Sequence, residues 1–220
     1  MRIIMMTFIS LLTLQSCSAN DSIVINMDEQ LIIEAVERDD KITVEQALKN
    51  GISVNITDSK KRTLLLIATN NANTEMAKLL VAYGADVNKQ ADNMDSPFLY
   101  AGATGQTELV HLYLMNGARF DVFNRYNGTA LIPACERGHV ETVRLLSNTK
   151  DYPINHINRL GWTGLIEAII LGDGTAKYQQ IVQILKDAGA QMDLADNQGV
   201  TPLELAERLG FTELANIIRG

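Results

Sequence analysis

Five segments of this chain repeat one another in phase, and that periodicity constrains the fold more than any local motif does. A Thr or Ser falls at positions 63, 96, 129, 163 and 201, at intervals of 33, 33, 34 and 38 residues. Each opens a stretch of the same pattern, as in "TLLLIATNNANTEMAKLLVAYGADVN" (Thr63–Asn88) and "SPFLYAGATGQTELVHLYLMNGARFD" (Ser96–Asp121). A degenerate copy, "LIIEAVERDDKITVEQALKNGISVN" (Leu31–Asn55), precedes them.

The pattern describes a helix pair. The leading hydroxyl can satisfy unpaired N–H groups at the start of a first helix. Apolar and small residues then follow at helical spacing, as at Leu65, Ala68, Met76, Leu79 and Leu80. Ala68, Ala101, Ala134, Ala168 and Ala206 share one register, where helices of neighbouring copies must approach closely. Gly105, Gly138 and Gly210 end the first helix of their copies, and Gly84, Gly117 and Gly189 end the second. One helix pair cannot bury its own apolar face, so the copies have to stack. The expected fold is an all-α solenoid of helix-turn-helix units.

With "GADVN" (Gly84–Asn88), "RGHVETVRLL" (Arg137–Leu146) and "GVTPLELA" (Gly199–Ala206) in register, the chain resembles the ankyrin-repeat family. The resemblance implies a solenoid of about six repeats, counting degenerate caps, with hairpin loops projecting beside a concave face. It assigns residues 28–220 to the repeat domain, with units near 28–56, 57–89, 90–122, 123–156, 157–194 and 195–220. Three departures stand out. Lys61 and Met94 replace the usual glycine two residues before the Thr or Ser, so the early hairpins are expected to be less regular. "SNTKDYPIN" (Ser147–Asn155) replaces the usual Gly-Ala-Asp ending of the fourth repeat. Extra residues around Gly172–Gln179 lie between the two helices of the fifth and read as a tolerated loop.

Residues 1–19 follow a different logic. Arg2 is their one charge, and the apolar run Ile3–Leu14 is shorter than the roughly 20 residues a spanning helix needs. A basic start, a short apolar region and small residues describe a secretory signal, with residues 20–27 as a linker. Two processing routes remain open. "LQSC" (Leu14–Cys17) resembles a lipoprotein signal that would lipidate Cys17, while cleavage after Ala19 would give a soluble exported chain. The expected location is the bacterial periplasm, either anchored to the outer membrane through Cys17 or soluble, and otherwise without membrane contact.

The remaining residues offer little chemistry. A formal net charge of −7 argues against a nucleic-acid partner, which calls for a dense basic face. Two cysteines cannot build a disulfide framework, and Cys135 reads as a small core residue. His111, His139 and His156 are the three histidines, and none sits in a catalytic or metal-binding motif. Neither a metal, a cofactor nor catalysis is expected, and a hydrolase is the disfavoured alternative.

Binding is easier to place. The resemblance puts residues just before the Thr or Ser at hairpin tips, facing a partner. There the chain carries Arg62, then Arg125 and Tyr126, then Arg159, Leu160 and Trp162, with Tyr100 on the first helix of the third repeat. Trp, Tyr and Arg dominate binding hot spots because each joins a large apolar surface to a polar end. Trp162, the one tryptophan, has two open readings, partner contact and packing against the next hairpin. The expectation is a monomeric protein-binding module. "NRLGWTGLIEAIILGDG" (Asn158–Gly174) resembles a segment of bacterial periplasmic ankyrin proteins, some of which accompany catalases, and this resemblance implies support of a stress-defence enzyme. Inhibition of a cognate secreted toxin or lipase is the other interaction reading.

Overall fold

The structure, a computed structural model, describes residues 29–220. The export segment, the linker and Cys17 lie outside the described residues. Helix α1 spans residues 29–37. It is followed by α2 (Lys41–Lys49), α3 (Leu64–Asn70), α4 (Thr74–Ala82), α5 (Pro97–Ala103) and α6 (Thr107–Leu114). The chain continues through α7 (Leu131–Glu136), α8 (Val140–Ser147), α9 (Gly164–Ile170), α10 (Ala176–Asp187), α11 (Pro202–Arg208) and α12 (Thr212–Arg219). Among the described residues there are six helix pairs and no strand, only an isolated bridge between Thr57 and Thr63.

Most of these helices are six to nine residues long, too short to persist alone in water. Stacking holds them. The inner helices α3, α5, α7, α9 and α11 pack in one row, and the outer helices α2 to α12 pack in a second. Outer-helix side chains four apart fill the space between the rows, as with Met76 and Leu80, Leu109 and Tyr113, or Ile181 and Leu185, all buried. Each such burial contributes about 1.5–3 kcal/mol. Inner helices meet through the alanine register: Ala68, Ala101, Ala134, Ala168 and Ala206 are all fully buried. Tyr113 also ties two repeats together, its hydroxyl 2.7 Å from Thr69 Oγ1.

The caps follow the sequence reading with one exception. Thr63, Ser96, Thr163 and Thr201 accept hydrogen bonds from Leu66, Leu99, Ile166 and Glu204 amides at 3.1–3.3 Å. Thr129 does not cap α7. The Leu131 amide donates instead to the Tyr152 hydroxyl at 3.1 Å. Tyr152 comes from the "SNTKDYPIN" segment, is buried, and packs on Phe120 with ring centroids 4.8 Å apart. The irregular fourth repeat thus supplies its own cap from a distant side chain.

The early hairpins are not irregular, which corrects the expectation drawn from Lys61 and Met94. Lys61 (φ +58°), Met94 (φ +63°) and Asn127 (φ +59°) adopt the left-handed conformation that Gly161 and Gly199 adopt in the later copies. All five hairpins close with the same turn bond, from Lys61 N to Asp58 O, Met94 N to Ala91 O, Asn127 N to Asn124 O, Gly161 N to Asn158 O and Gly199 N to Asp196 O. A non-glycine residue there costs about 1–2 kcal/mol. Side chains at the first hairpin position help to offset it. Asp58, Asn124, Asn158 and Asp196 each accept from two amides of their own turn through Oδ1. Ala91 in the third repeat cannot, and there Gln90 Nε2 donates to Met94 O and to Phe123 O of the next repeat.

Asparagines at the repeat ends bind the next repeat. Asn55 Oδ1 accepts from Asp86 N, Asn88 Oδ1 from Arg119 N and Asn155 Oδ1 from Gln191 N, all at 2.8–2.9 Å. This explains the Asn that closes "GADVN". The Gly172–Gln179 insertion is largely exposed but is anchored at two points. Tyr178 is buried and donates to Glu136 O at 2.8 Å, and a Cβ on Gly174 would clash with the Phe211 ring of the sixth repeat.

Candidate binding cleft

The hairpins of the third, fourth and fifth repeats (numbered by their repeat), together with the inner helices α5, α7 and α9 behind them, enclose a cleft of about 550 Å³. Asn124 and Asn158 set the turns of the fourth and fifth repeats, Gln90 supports that of the third, and the inner helix after each hairpin supplies the wall. Ile132 and Pro133 of α7, both buried, lie at its base. Tyr100, Tyr126, Leu160 and Leu171 supply larger apolar surface. Tyr126, Leu160 and Leu171 are 49%, 50% and 48% exposed, so three large side chains stand half in water around one depression. Such convergence, unlike scattered apolar residues, marks an interaction surface.

Charged groups divide the cleft. Arg125 lies over its neighbour Tyr126, with the guanidinium 4.9 Å from the ring centroid, which stiffens both side chains. Arg125 and Arg137 lie on the side of Asp95. Burial pushes the Asp95 carboxyl up, against the opposing pull of Arg125, Asn93 and Arg137. Deeper in, Glu136 and Glu167 face the cleft together. Glu167 is 6% exposed on the otherwise apolar α9. Burial, helped by the neighbouring Glu136 charge, raises its carboxyl to about 7, while Asn158 and Arg137 act to lower it. Asn158 Nδ2 donates to Glu167 Oε1 at 2.8 Å, so the residue that shapes the fifth hairpin also orients this acid.

The seven residues singled out from sequence do not all meet here. Tyr100, Arg125, Tyr126 and Leu160 line the cleft. Arg159 is exposed on the adjoining hairpin tip, and its amide donates to Tyr126 O at 2.8 Å, joining the fourth and fifth hairpins. Trp162 is half-buried at the base of the fifth hairpin, where its carbonyl accepts from Asn158 N. Arg62 occupies the same base position in the second hairpin. It is engaged by Asp58 at 2.6 Å and Glu37 at 3.4 Å, with its side chain 29% exposed. Arg62 and Trp162 each follow the amide that closes the turn, Lys61 N and Gly161 N, and so sit at the hairpin base rather than at its tip.

Sequence reasoning passed over Glu136, Arg137, Asn158 and Glu167. The signal for Glu167 was present: "GLIEAII" (Gly164–Ile170) has one acid in an apolar inner helix.

The other reactive side chains are engaged in structure. Cys135 is buried on the seam with α9, and burial pushes its thiol well up, which keeps it protonated and inert. His156 stacks on Phe123 at 4.5 Å, with Nε2 2.6 Å from Asn127 O. Among the described residues no group of three His, Cys, Asp or Glu is placed to hold a metal ion. No described helix is long and apolar enough to cross a membrane. What the cleft offers is an apolar rim, a guanidinium side and an acidic interior, all suited to holding a side chain.

A family model described as ankyrin repeats (three copies) matches residues 9–91, 31–124 and 98–191. YahD of Escherichia coli (strain K12), described as an ankyrin repeat protein, is 35% identical over 184 residues, covering 84% of this chain and 92% of its own. The crystal structure of an ankyrin repeat domain from Acinetobacter baumannii AYE superposes with a TM-score of 0.84 at 44% identity, covering 87% of this chain and 97% of that one. The ankyrin repeat protein EF0377 gives a TM-score of 0.83 at 39% identity, with 86% and 96% covered.

Proposed function

Since this chain belongs to the ankyrin-repeat family, we propose that it is a non-enzymatic module whose protein partner docks in the cleft of repeats three to five. Ankyrin repeats are generally protein-interaction modules, and the family is typically without catalysis. The observation that carries the reading is the convergence of Tyr126, Leu160 and Leu171, each about half exposed, on a depression that Arg125 and Tyr100 also line. Tyr126 and the Arg125 stacked on it are the amphipathic types that dominate hot spots, and the two leucines add apolar surface around them.

Changing Arg125, Tyr126 and Arg159 together to Ala is expected to abolish capture of the partner from a bacterial envelope extract, with bound chains identified by mass. Helical circular dichroism should be unchanged, since all three side chains are exposed. Full capture by the triple variant would remove this face from the interaction. Lost helicity would make the residues structural.

The proposal includes export. Its support is the sequence of residues 1–19, with a basic start, a short apolar run and either Cys17 or Ala19 as the processing point. On the lipoprotein route the anchor would lie at Cys17, and Cys17→Ser should move the protein from the membrane to the soluble envelope fraction. Unchanged fractionation would leave cleavage after Ala19 as the route. A stress-defence enzyme such as a catalase is the partner class considered first, on likeness to periplasmic ankyrin proteins. A cognate secreted toxin or lipase is the second.

A further inference from the structure

We propose that the interior of this cleft is a subsite for a basic side chain, a lysine or arginine presented by the partner, whose cationic head is received between Glu136 and Glu167. The proposal rests on the reading of the cleft as a docking surface and adds the chemistry of what enters it.

Three observations carry it. Glu167 is more than nine-tenths buried and still lines an open cleft, and its carboxylate has one hydrogen bond, from Asn158 Nδ2 to Oε1. Among the described residues, neither Glu136 nor Glu167 has a lysine or arginine within ion-pair distance. Acids elsewhere along the stack do find a cation, as Asp92 does with Lys61 and Glu108 with Lys78. A buried carboxylate without a counter-charge is unfavourable in the free protein and becomes favourable when a ligand supplies the charge. The surroundings suit the rest of such a side chain. Leu160 and Leu171 offer apolar surface to a methylene stem, and long basic side chains bury their stems while the head finds polar partners. A guanidinium could bridge both carboxyl groups with its planar fork, and an ammonium could sit between them as a point charge.

Peptide titration of the isotopically labelled full chain, followed by NMR, tests this. The probes are Ac-Ala-Gly-X-Gly-Ala-amide with X as arginine, lysine, citrulline or glutamate. Citrulline keeps the shape of arginine and removes its charge. The expected result is saturable shifts at Gly128, Asn158, Leu160 and Leu171, with the arginine or lysine peptide binding at least tenfold tighter than the citrulline one. Glu167→Gln, which retains an acceptor for Asn158, should cut that preference about tenfold. Equal binding of arginine and citrulline, preference for glutamate, or shifts confined to α6, α8 and α10 would each overturn the proposal. The comparison among peptides on the unaltered protein holds whatever the variant does to folding. If the charge preference is absent while partner capture still depends on Arg125, Tyr126 and Arg159, this subsite fails and the docking surface stands.

Discussion

Asn158→Ala lowers the stability of the protein by about 2–4 kcal/mol, measured by urea denaturation under far-UV circular dichroism. Asn158 is 6% exposed, and its side chain makes three hydrogen bonds. Oδ1 accepts from Leu160 N at 2.9 Å and Trp162 N at 3.1 Å, and Nδ2 donates to Glu167 Oε1 at 2.8 Å. Each bond contributes about 1 kcal/mol net, and a partner left unsatisfied out of water adds to the loss. Asn124→Ala is the internal control. Asn124 makes the matching bonds to Tyr126 N and Gly128 N, both at 2.9 Å, but it is less buried and holds no acid. Its loss should cost about 1–2 kcal/mol. Equal effects at the two positions would mean that the bond to Glu167 contributes nothing.

Glu167→Gln acts in the opposite direction and makes the protein more stable, by an amount that depends on pH. An ordinary glutamate titrates near 4.5, and burial raises this one to about 7 in the folded chain. Below pH 4 both states hold the proton and the variant should match the original. Between pH 4.5 and 7 the unfolded chain ionises first, so stability falls as pH rises. Above pH 7 the folded state carries a charge that burial disfavours and the penalty is constant. Glutamine removes it, so the gain should grow from near zero at pH 4 to about 1–3 kcal/mol at pH 8, less than the full shift implies because the cleft admits some solvent. Glu136 and Cys135 on α7, Arg137 just beyond it and Asn158 in the fifth hairpin face this carboxyl. The gain refers to Glu167 with those groups in place. A difference that does not vary with pH would show that the folded carboxyl titrates normally. Stability given up at a buried acid is a frequent companion of binding sites.

These two residues also show what sequence could and could not reveal. The stack was legible because its causes are periodic. Alanines at 68, 101, 134, 168 and 206 repeat because inner helices touch there, and the terminating glycines repeat because the chain turns left-handed there. Non-periodic solutions left less trace. Met94 takes the glycine conformation without being glycine, held partly by Gln90, and nothing in its own letter says so. Tyr152 replaces the cap that Thr129 appeared to promise because the irregular fourth-repeat ending places a hydroxyl 3.1 Å from the Leu131 amide. Family phase pointed to the hairpins, and Arg125, Tyr126, Arg159 and Leu160 lie within the turns, whereas Arg62 and Trp162 follow the closing amides of Lys61 and Gly161 and lie at the base. Glu167 was legible only as an exception inside an apolar helix. Its meaning depends on Asn158 in its own repeat and on Glu136, which reaches the same place only once the fourth and fifth repeats are stacked.

The proposed docking site is the cleft formed by the hairpins of repeats three to five and the inner helices α5, α7 and α9. Amide hydrogen exchange, compared between the free protein and its captured complex, tests it most directly. Added protection is expected at residues 92–95, 124–128 and 158–162, with the outer helices α6, α8 and α10 unchanged. Protection confined to those outer helices, with the hairpins exchanging as in the free protein, would contradict it.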